Sequence, residues 1–324
     1  MSEPYVRPDV RVFLDYVNAL PGQKAFELPL ADARNMMHAS RHVADAPIGE
    51  LAVIRDLEMP RPGGISNDAP GGPLRLRLYD TRETREPGPL MVFYHGGGWV
   101  LGDLDTHEPF CAAIARQMDL PVVAVDYRLA PEHPFPAGIE DAIAAARWLA
   151  GGPEALGRRV TGLVPFGDSA GGNFAIVVSL ALRDEPAAVP VLAQWPIYPA
   201  GHPVKHYPSR DEFGEGYLLS RGSMDWFEQS YAPDRKDWRY DPLKKSQAGL
   251  PPTLVLTASL DPIRDQGRAY AAACVQAGVN TVFIEAKGTV HGFVCLRKAL
   301  PSGNADVISC VAALKLLLAG RQSI

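Results

Sequence analysis

No stretch of this 324-residue sequence is long and apolar enough to cross a bilayer as a helix. The apolar runs at 121–125, 174–182 and 311–318 all fall well short of the ~18–20 residues a span requires. The opening residues, Met-Ser-Glu-Pro-Tyr-Val-Arg-Pro-Asp-Val, lack the apolar segment of a secretory signal. Cysteine is scarce: Cys111, Cys274, Cys295 and Cys310 are scattered and form no C-x-x-C pair. That argues against a disulfide framework and for buried thiols in a reducing compartment. Runs of Lys or Arg are missing too, and the formal net charge is -5, so nucleic acid is not an expected partner. These absences predict a cytoplasmic protein with no stable membrane association.

What is present has the composition of an ordinary globular protein, 47% hydrophobic and 21% charged. The 30 prolines and 30 glycines are spread between apolar runs, as suits tight turns at strand ends. Leu90-Met-Val-Phe-Tyr94, Pro121-Val-Val-Ala-Val125, Gly162-Leu-Val-Pro-Phe166, Val189 to Ile197, Thr253-Leu-Val-Leu-Thr257 and Thr281-Val-Phe-Ile-Glu285 read as buried parallel strands. Helical spacing fills the gaps at 107–118, 137–150, 171–184, 264–277 and 304–319. The alternation predicts an α/β fold with a mainly parallel sheet covered on both faces. Leu74-Arg-Leu-Arg-Leu-Tyr79 alternates strictly and is expected as a half-exposed, antiparallel edge strand. Residues 1–45 hold two helical segments before any strand, and residues 199–250 interrupt the rhythm with Pro, Gly and aromatics. An excursion of that length inside a sheet domain is usually functional, and both segments are read as a lid.

Gly167-Asp168-Ser169-Ala170-Gly171 matches G-x-S-x-G and lies between a predicted strand and a predicted helix. In that setting the serine sits on a sharp turn, where flanking glycines avoid a Cβ clash and the helix N-terminus favours a developing anion. Ser169 is the expected nucleophile. His95-Gly96-Gly97-Gly98-Trp99 follows the strand 90–94 and leaves main-chain N–H groups open to a ligand. It fits neither a P-loop nor a dinucleotide fingerprint. Two N–H groups of this glycine run, with that of Ala170, are the expected oxyanion donors, and His95 is expected to order the glycine loop by hydrogen bonding.

A serine hydroxyl needs a base, and the base an orienting carboxylate. His291 is the only histidine after residue 206. Asp261 directly follows the strand 253–258, whereas Asp265 falls on the next helix, so Asp261 is favoured as the orienting group.

Taken together, these residues resemble the bacterial hormone-sensitive-lipase-like (family IV) carboxylesterases of the α/β-hydrolase fold, in the subgroup with Asp before the serine. The resemblance rests on His95–Trp99, on Asp126-Tyr-Arg-Leu-Ala-Pro-Glu-His-Pro-Phe-Pro-Ala137, on Gly167–Asn173, and on Asp261–Asp265 with His291–Phe293. It covers about residues 74–320, and it departs from the pattern at Ser259 and at Thr289-Val290. It implies a sheet of about eight strands with a helical cap, a Ser169–His291–Asp261 triad, oxyanion donors at Gly97, Gly98 and Ala170, and a structural role for Arg128–His133. The division it implies is 1–45 as the N-terminal part of the cap, 46–198 and 251–324 as the catalytic domain, and 199–250 as an insertion that is partly cap. The plant gibberellin receptors resemble the same family without the histidine; His291 is present here.

The expected reaction is hydrolysis of short- to medium-chain acyl esters through an acyl-enzyme, though the same groups can serve amides, thioesters or lactones. Trp99, Tyr198 and Phe213 are expected to line the substrate pocket. No cofactor and no metal are implied: His202 and His206 have ligand-like spacing, but Pro203 and Pro208 argue against a helix presenting them. The expected partner is a small-molecule ester, and an exposed strand near 281–285 allows a homodimer.

Overall fold

The computed structural model describes residues 3–60 and 72–320. Two helices come first, α1 (Pro8–Ala19) and α2 (Leu30–Ala44), followed by β1 (Val53–Met59), β2 (Leu74–Asp80) and β3 (Gly88–Tyr94). The chain then alternates through α3 (Glu108–Met118), β4 (Val122–Val125), α4 (Ala137–Ala150), β5 (Val160–Asp168), α5 (Ala170–Asp184) and β6 (Trp195–Ile197). Within the insertion lie α6 (Pro208–Glu212) and α7 (Arg221–Tyr231). The last elements are β7 (Thr253–Leu260), α8 (Arg264–Gln276), β8 (Thr281–Val290) and α9 (Gly303–Ala319).

The eight strands form one sheet in the order β1-β2-β4-β3-β5-β6-β7-β8. Strand β2 runs against both its neighbours, and every other pairing is parallel. Side chains alternate faces along each strand, and the core divides accordingly. On β3, Met91 and Phe93 face the layer filled by Phe110 and Val311 from α3 and α9. Leu90, Val92 and Tyr94 face the opposite layer, with Ile139 and Phe174 from α4 and α5. That double coverage is why the central strands read as continuous apolar runs.

Three expectations need correction. The alternating segment at 74–79 is antiparallel, as its pattern predicts, but it is not an edge: β1 covers it along its full length, pairing Val53 with Asp80 through Met59 with Leu74. The strand expected from Val189 to Ile197 shrinks to Trp195–Ile197, with Pro190 withholding an N–H donor near its expected start; isolated bridges from Val191 to Leu163 and from Gln194 to Thr253 precede it. The strand expected at 281–285 continues to Val290, so His291 directly follows β8.

The N-terminal helices are fastened to distant parts of the chain. Arg7 pairs with Asp306 on α9 at 2.6 Å, and Arg34 on α2 donates to the carbonyls of Val100 and Ala130. Asn18 on α1 reaches the insertion by donating to Gly216 O at 3.0 Å.

Candidate functional site

Strands β3, β5, β7 and β8 all deliver residues to the same end of the sheet. Between β5 and α5 the chain turns on a single residue, Ser169, held at φ 57° and ψ -116°. A non-glycine residue with positive φ costs of order 1–3 kcal/mol and persists only where its surroundings fix it. Here they do. A Cβ on Gly167 or Gly171 would collide with the carbonyl oxygen of Tyr94 at the end of β3.

Next to Ser169, its Oγ lies 2.8 Å from His291 Nε2, and His291 Nδ1 lies 2.7 Å from Asp261 Oδ2. Asp261 is fully buried and its other oxygen accepts the Ile263 N–H at 2.8 Å. A carboxylate can only accept from the ring, so Nδ1 carries the proton and Nε2 is free to accept from the serine hydroxyl. The two partners sit one residue beyond paired positions of adjacent strands, Leu260 on β7 and Val290 on β8. Asp265 is elsewhere engaged: it accepts the Ser209 N–H and pairs with Arg264 and Arg268.

The glycine loop after β3 needs glycine on conformational grounds, with φ 112° at Gly97 and 61° at Gly98. The N–H groups of Val100 and Leu101 both donate to Gly97 O, which closes the turn. His95 Nδ1 donates to Gly96 O at 2.7 Å, and the ring stacks on Tyr127 at 4.2 Å, whose hydroxyl donates to His95 O. Burial, reinforced by nearby His107, pushes the His95 imidazole down to about 4. It is therefore a neutral ring that orders the loop. Asp168 Oδ1 accepts the Gly96 N–H at 2.8 Å. Burial works to raise the Asp168 carboxyl, but His107 in particular holds it below the usual carboxylate range. Arg128, in the stretch after β4, pairs with fully buried Asp141 at 2.8 Å, and Asp126 pairs with Arg75 at 2.6 Å.

A pocket opens above Ser169. Gly98 and Ala170 line it, as does Trp99. Tyr198 and Phe213, expected beside Trp99, do not: Tyr198 is buried against His291 and Phe293, and Phe213 against Tyr217 and Arg264. The wall they were expected to form comes instead from Met224, Phe227 and Glu228 on α7. Their i, i+3, i+4 spacing on an amphipathic segment is the signal that marks them as one helix face. A Cβ on Gly98 would strike the Phe227 ring, so the insertion rests directly on the glycine loop.

His202 and His206 have separate partners, the Tyr207 hydroxyl and Asp211, each at 2.7 Å. Among the described residues, His107, Asp168 and Cys295 bring ligand-type atoms within 4.8 Å of one another. Asp168 is already bonded to Gly96, and burial pushes the Cys295 thiol well up. No helix among the described residues is long and apolar enough to cross a membrane.

A family model described as the alpha/beta hydrolase fold matches residues 91–295. The chain is 33% identical to an ethyl acetate hydrolase of Pseudomonas putida over 320 residues, covering 96% of this chain and 98% of that protein. It is 39% identical to a carboxylic ester hydrolase of Mycobacterium tuberculosis over 265 residues, covering 78% and 69%. Among solved structures, an alpha/beta hydrolase enzyme from the metagenome of Lake Arreo superposes with a TM-score of 0.88 at 36% identity, covering 98% of this chain and 99% of that one.

Proposed function

This chain belongs to the α/β-hydrolase family, and from that premise we propose that it hydrolyses carboxylic esters by acyl transfer to Ser169. The observation that carries the reading is the unbroken hydrogen-bonded line from Ser169 Oγ through His291 to buried Asp261. His291 Nε2 takes the serine proton as Oγ attacks the ester carbonyl. The oxyanion rests on the main-chain N–H groups of Gly97, Gly98 and Ala170. His291 then returns its proton to the departing alcohol, and water repeats the sequence on the acyl-enzyme. Asp261 keeps the ring in the tautomer that accepts from serine and stabilises the imidazolium formed on attack.

Relatives named as ester hydrolases, one of them for ethyl acetate, support a carboxylic ester as the substrate class. The apolar wall of Trp99, Leu219, Met224 and Phe227 above Ser169 supports short to medium acyl chains. Residues 1–45 with α7 act as a cap, a role supported by the Asn18–Gly216 bond and by Phe26 packing at Gly222. The test is hydrolysis of p-nitrophenyl acetate, butyrate and octanoate by the protein and by Ser169→Ala. The expected result is turnover that favours acetate or butyrate and a loss of at least about 10⁴-fold in the variant. Equal rates for the two proteins would remove Ser169 from the mechanism.

A further inference from the structure

Strands β3 and β5 are parallel neighbours whose paired ends are Tyr94 and Gly167. One end carries the glycine loop and the other the serine, so the distance between nucleophile and oxyanion donors depends on what holds these two ends in register beyond the last pair. The main-chain ladder stops there. A side chain takes over: Asp168 Oδ1 accepts the Gly96 N–H at 2.8 Å, across 72 residues of sequence. Because the carboxylate is buried, solvent does not compete for that bond.

Asp168 is itself held. His107 Nε2 stands 3.4 Å from the same Oδ1, with both side chains almost wholly buried. The carboxylate only accepts, so Nε2 carries the proton directed at it. The ring's other nitrogen, Nδ1, is 2.9 Å from the Thr106 hydroxyl, which is in turn bonded to Asp103 through both its N–H and its carbonyl. The second oxygen of Asp168 accepts from the Tyr198 hydroxyl at 3.5 Å, and the Tyr198 ring lies 4.6 Å from that of His291. One buried carboxylate thus touches the glycine loop and the ring that packs on the base. It directly precedes the nucleophile.

We propose that His107 and Asp168 are positioning residues for the reaction: His107 fixes the Asp168 carboxylate, and Asp168 fixes Gly96 and with it the donors at Gly97 and Gly98. Neither touches the substrate. This rests on the ester-hydrolase reading above. It goes beyond that reading by assigning a purpose to a histidine outside the Ser169–His291–Asp261 line.

An oxyanion donor displaced by a fraction of an ångström stabilises the transition state less while leaving ground-state binding unchanged. The test is kcat and KM for p-nitrophenyl butyrate in His107→Ala, His107→Gln, Asp168→Ala and Asp168→Asn, with active sites counted from the p-nitrophenolate burst. The two alanine variants are expected to lose roughly 10- to 100-fold in kcat with KM within about twofold. His107→Gln restores a donor and Asp168→Asn an acceptor, and each is expected to recover most of the loss. Unchanged kcat per active site in both alanine variants, or a rise in KM alone, would overturn the assignment.

Amide NMR of the full chain gives a readout free of turnover. Gly96 is expected to show a downfield, slowly exchanging amide that moves upfield in Asp168→Asn. A Gly96 amide that exchanges as fast as exposed loop amides would sink the proposal even if the alanine variants did not fold. Failure of the wild-type protein to hydrolyse any ester, with the Gly96 amide still protected, would count against the function and leave the positioning bond standing.

Discussion

His95 shows how a single residue's surroundings select its role. His95 and His291 both follow strands at the serine's end of the sheet, but it is His291 that has a carboxylate on one nitrogen and the serine on the other. His95 has a main-chain carbonyl on Nδ1 and, among the described residues, no partner for its buried Nε2. Its folded-state value of about 4 lies below that of an unfolded histidine, ordinarily about 6.5. Between those values the unfolded chain binds a proton that the folded one refuses. The stabilisation from burying a neutral ring is therefore complete above pH 6.5 and is lost as pH falls from there towards 4, by about 3 kcal/mol in all. Thermal melts between pH 7.5 and 4 are expected to show this loss, and His95→Asn, which keeps a donor for Gly96 O without titrating, is expected to shed that part of the slope. Identical pH dependence in the two proteins would assign the loss to other groups. The roles proposed for Ser169, Asp261 and His291 were legible in sequence because each follows an apolar run, and chain order limits the combinations. Tyr198 was legible as an aromatic near the site but not as one turned beneath it, because its direction depends on how short β6 is.

At the scale of elements, the central strands were readable for the same reason that they are buried: helices cover both faces, so the run is apolar throughout. Strand β1 was missed because it is an edge. Its pattern Val-Ile-Arg-Asp-Leu-Glu-Met leaves four of seven residues exposed, and its charged side chains read as loop. The pocket wall was missed on similar grounds. The i, i+3, i+4 spacing of Met224, Phe227 and Glu228 groups them on one helix face, but among the aromatics from 207 to 240 only the placement of α7 on Gly98 tells that this face meets the site. That placement makes Phe227 a determinant of acyl length, since its ring stands both against the glycine loop and in the cavity above Ser169. Phe227→Ala is expected to shift kcat/KM towards octanoate over acetate by roughly tenfold, the scale on which a hydrophobic pocket distinguishes chain length. A chain-length profile parallel to that of the parent protein would place the acyl group elsewhere in the cavity.

For the whole molecule, the question is what holds residues 3–45 to a sheet to which they contribute no strand. Their sequence suggested two helices and a lid but not the attachments, because contacts at long range leave no periodic trace. The structure supplies them in pairs. Arg7 reaches Asp306, Asp9 accepts from Ser302 through both main chain and side chain, and Asp45 forms a two-pronged bond with Arg297, both of them buried. The last of these is the most consequential, since Arg297 lies six residues beyond His291 and its N–H also donates to Asp45. Removing one member of a buried pair strands the other charge, at a cost of about 3–5 kcal/mol, whereas replacing both with apolar groups of similar volume is often neutral or stabilising. Asp45→Ala is therefore expected to lower the melting temperature and shorten the half-life on heating, and Asp45→Leu combined with Arg297→Met to recover most of that loss. If the pair serves only stability, kcat at 25 °C is unchanged in the double variant. If it also braces the segment behind His291, kcat falls while the melting temperature recovers, so stability and rate measured on the same two variants separate the two roles.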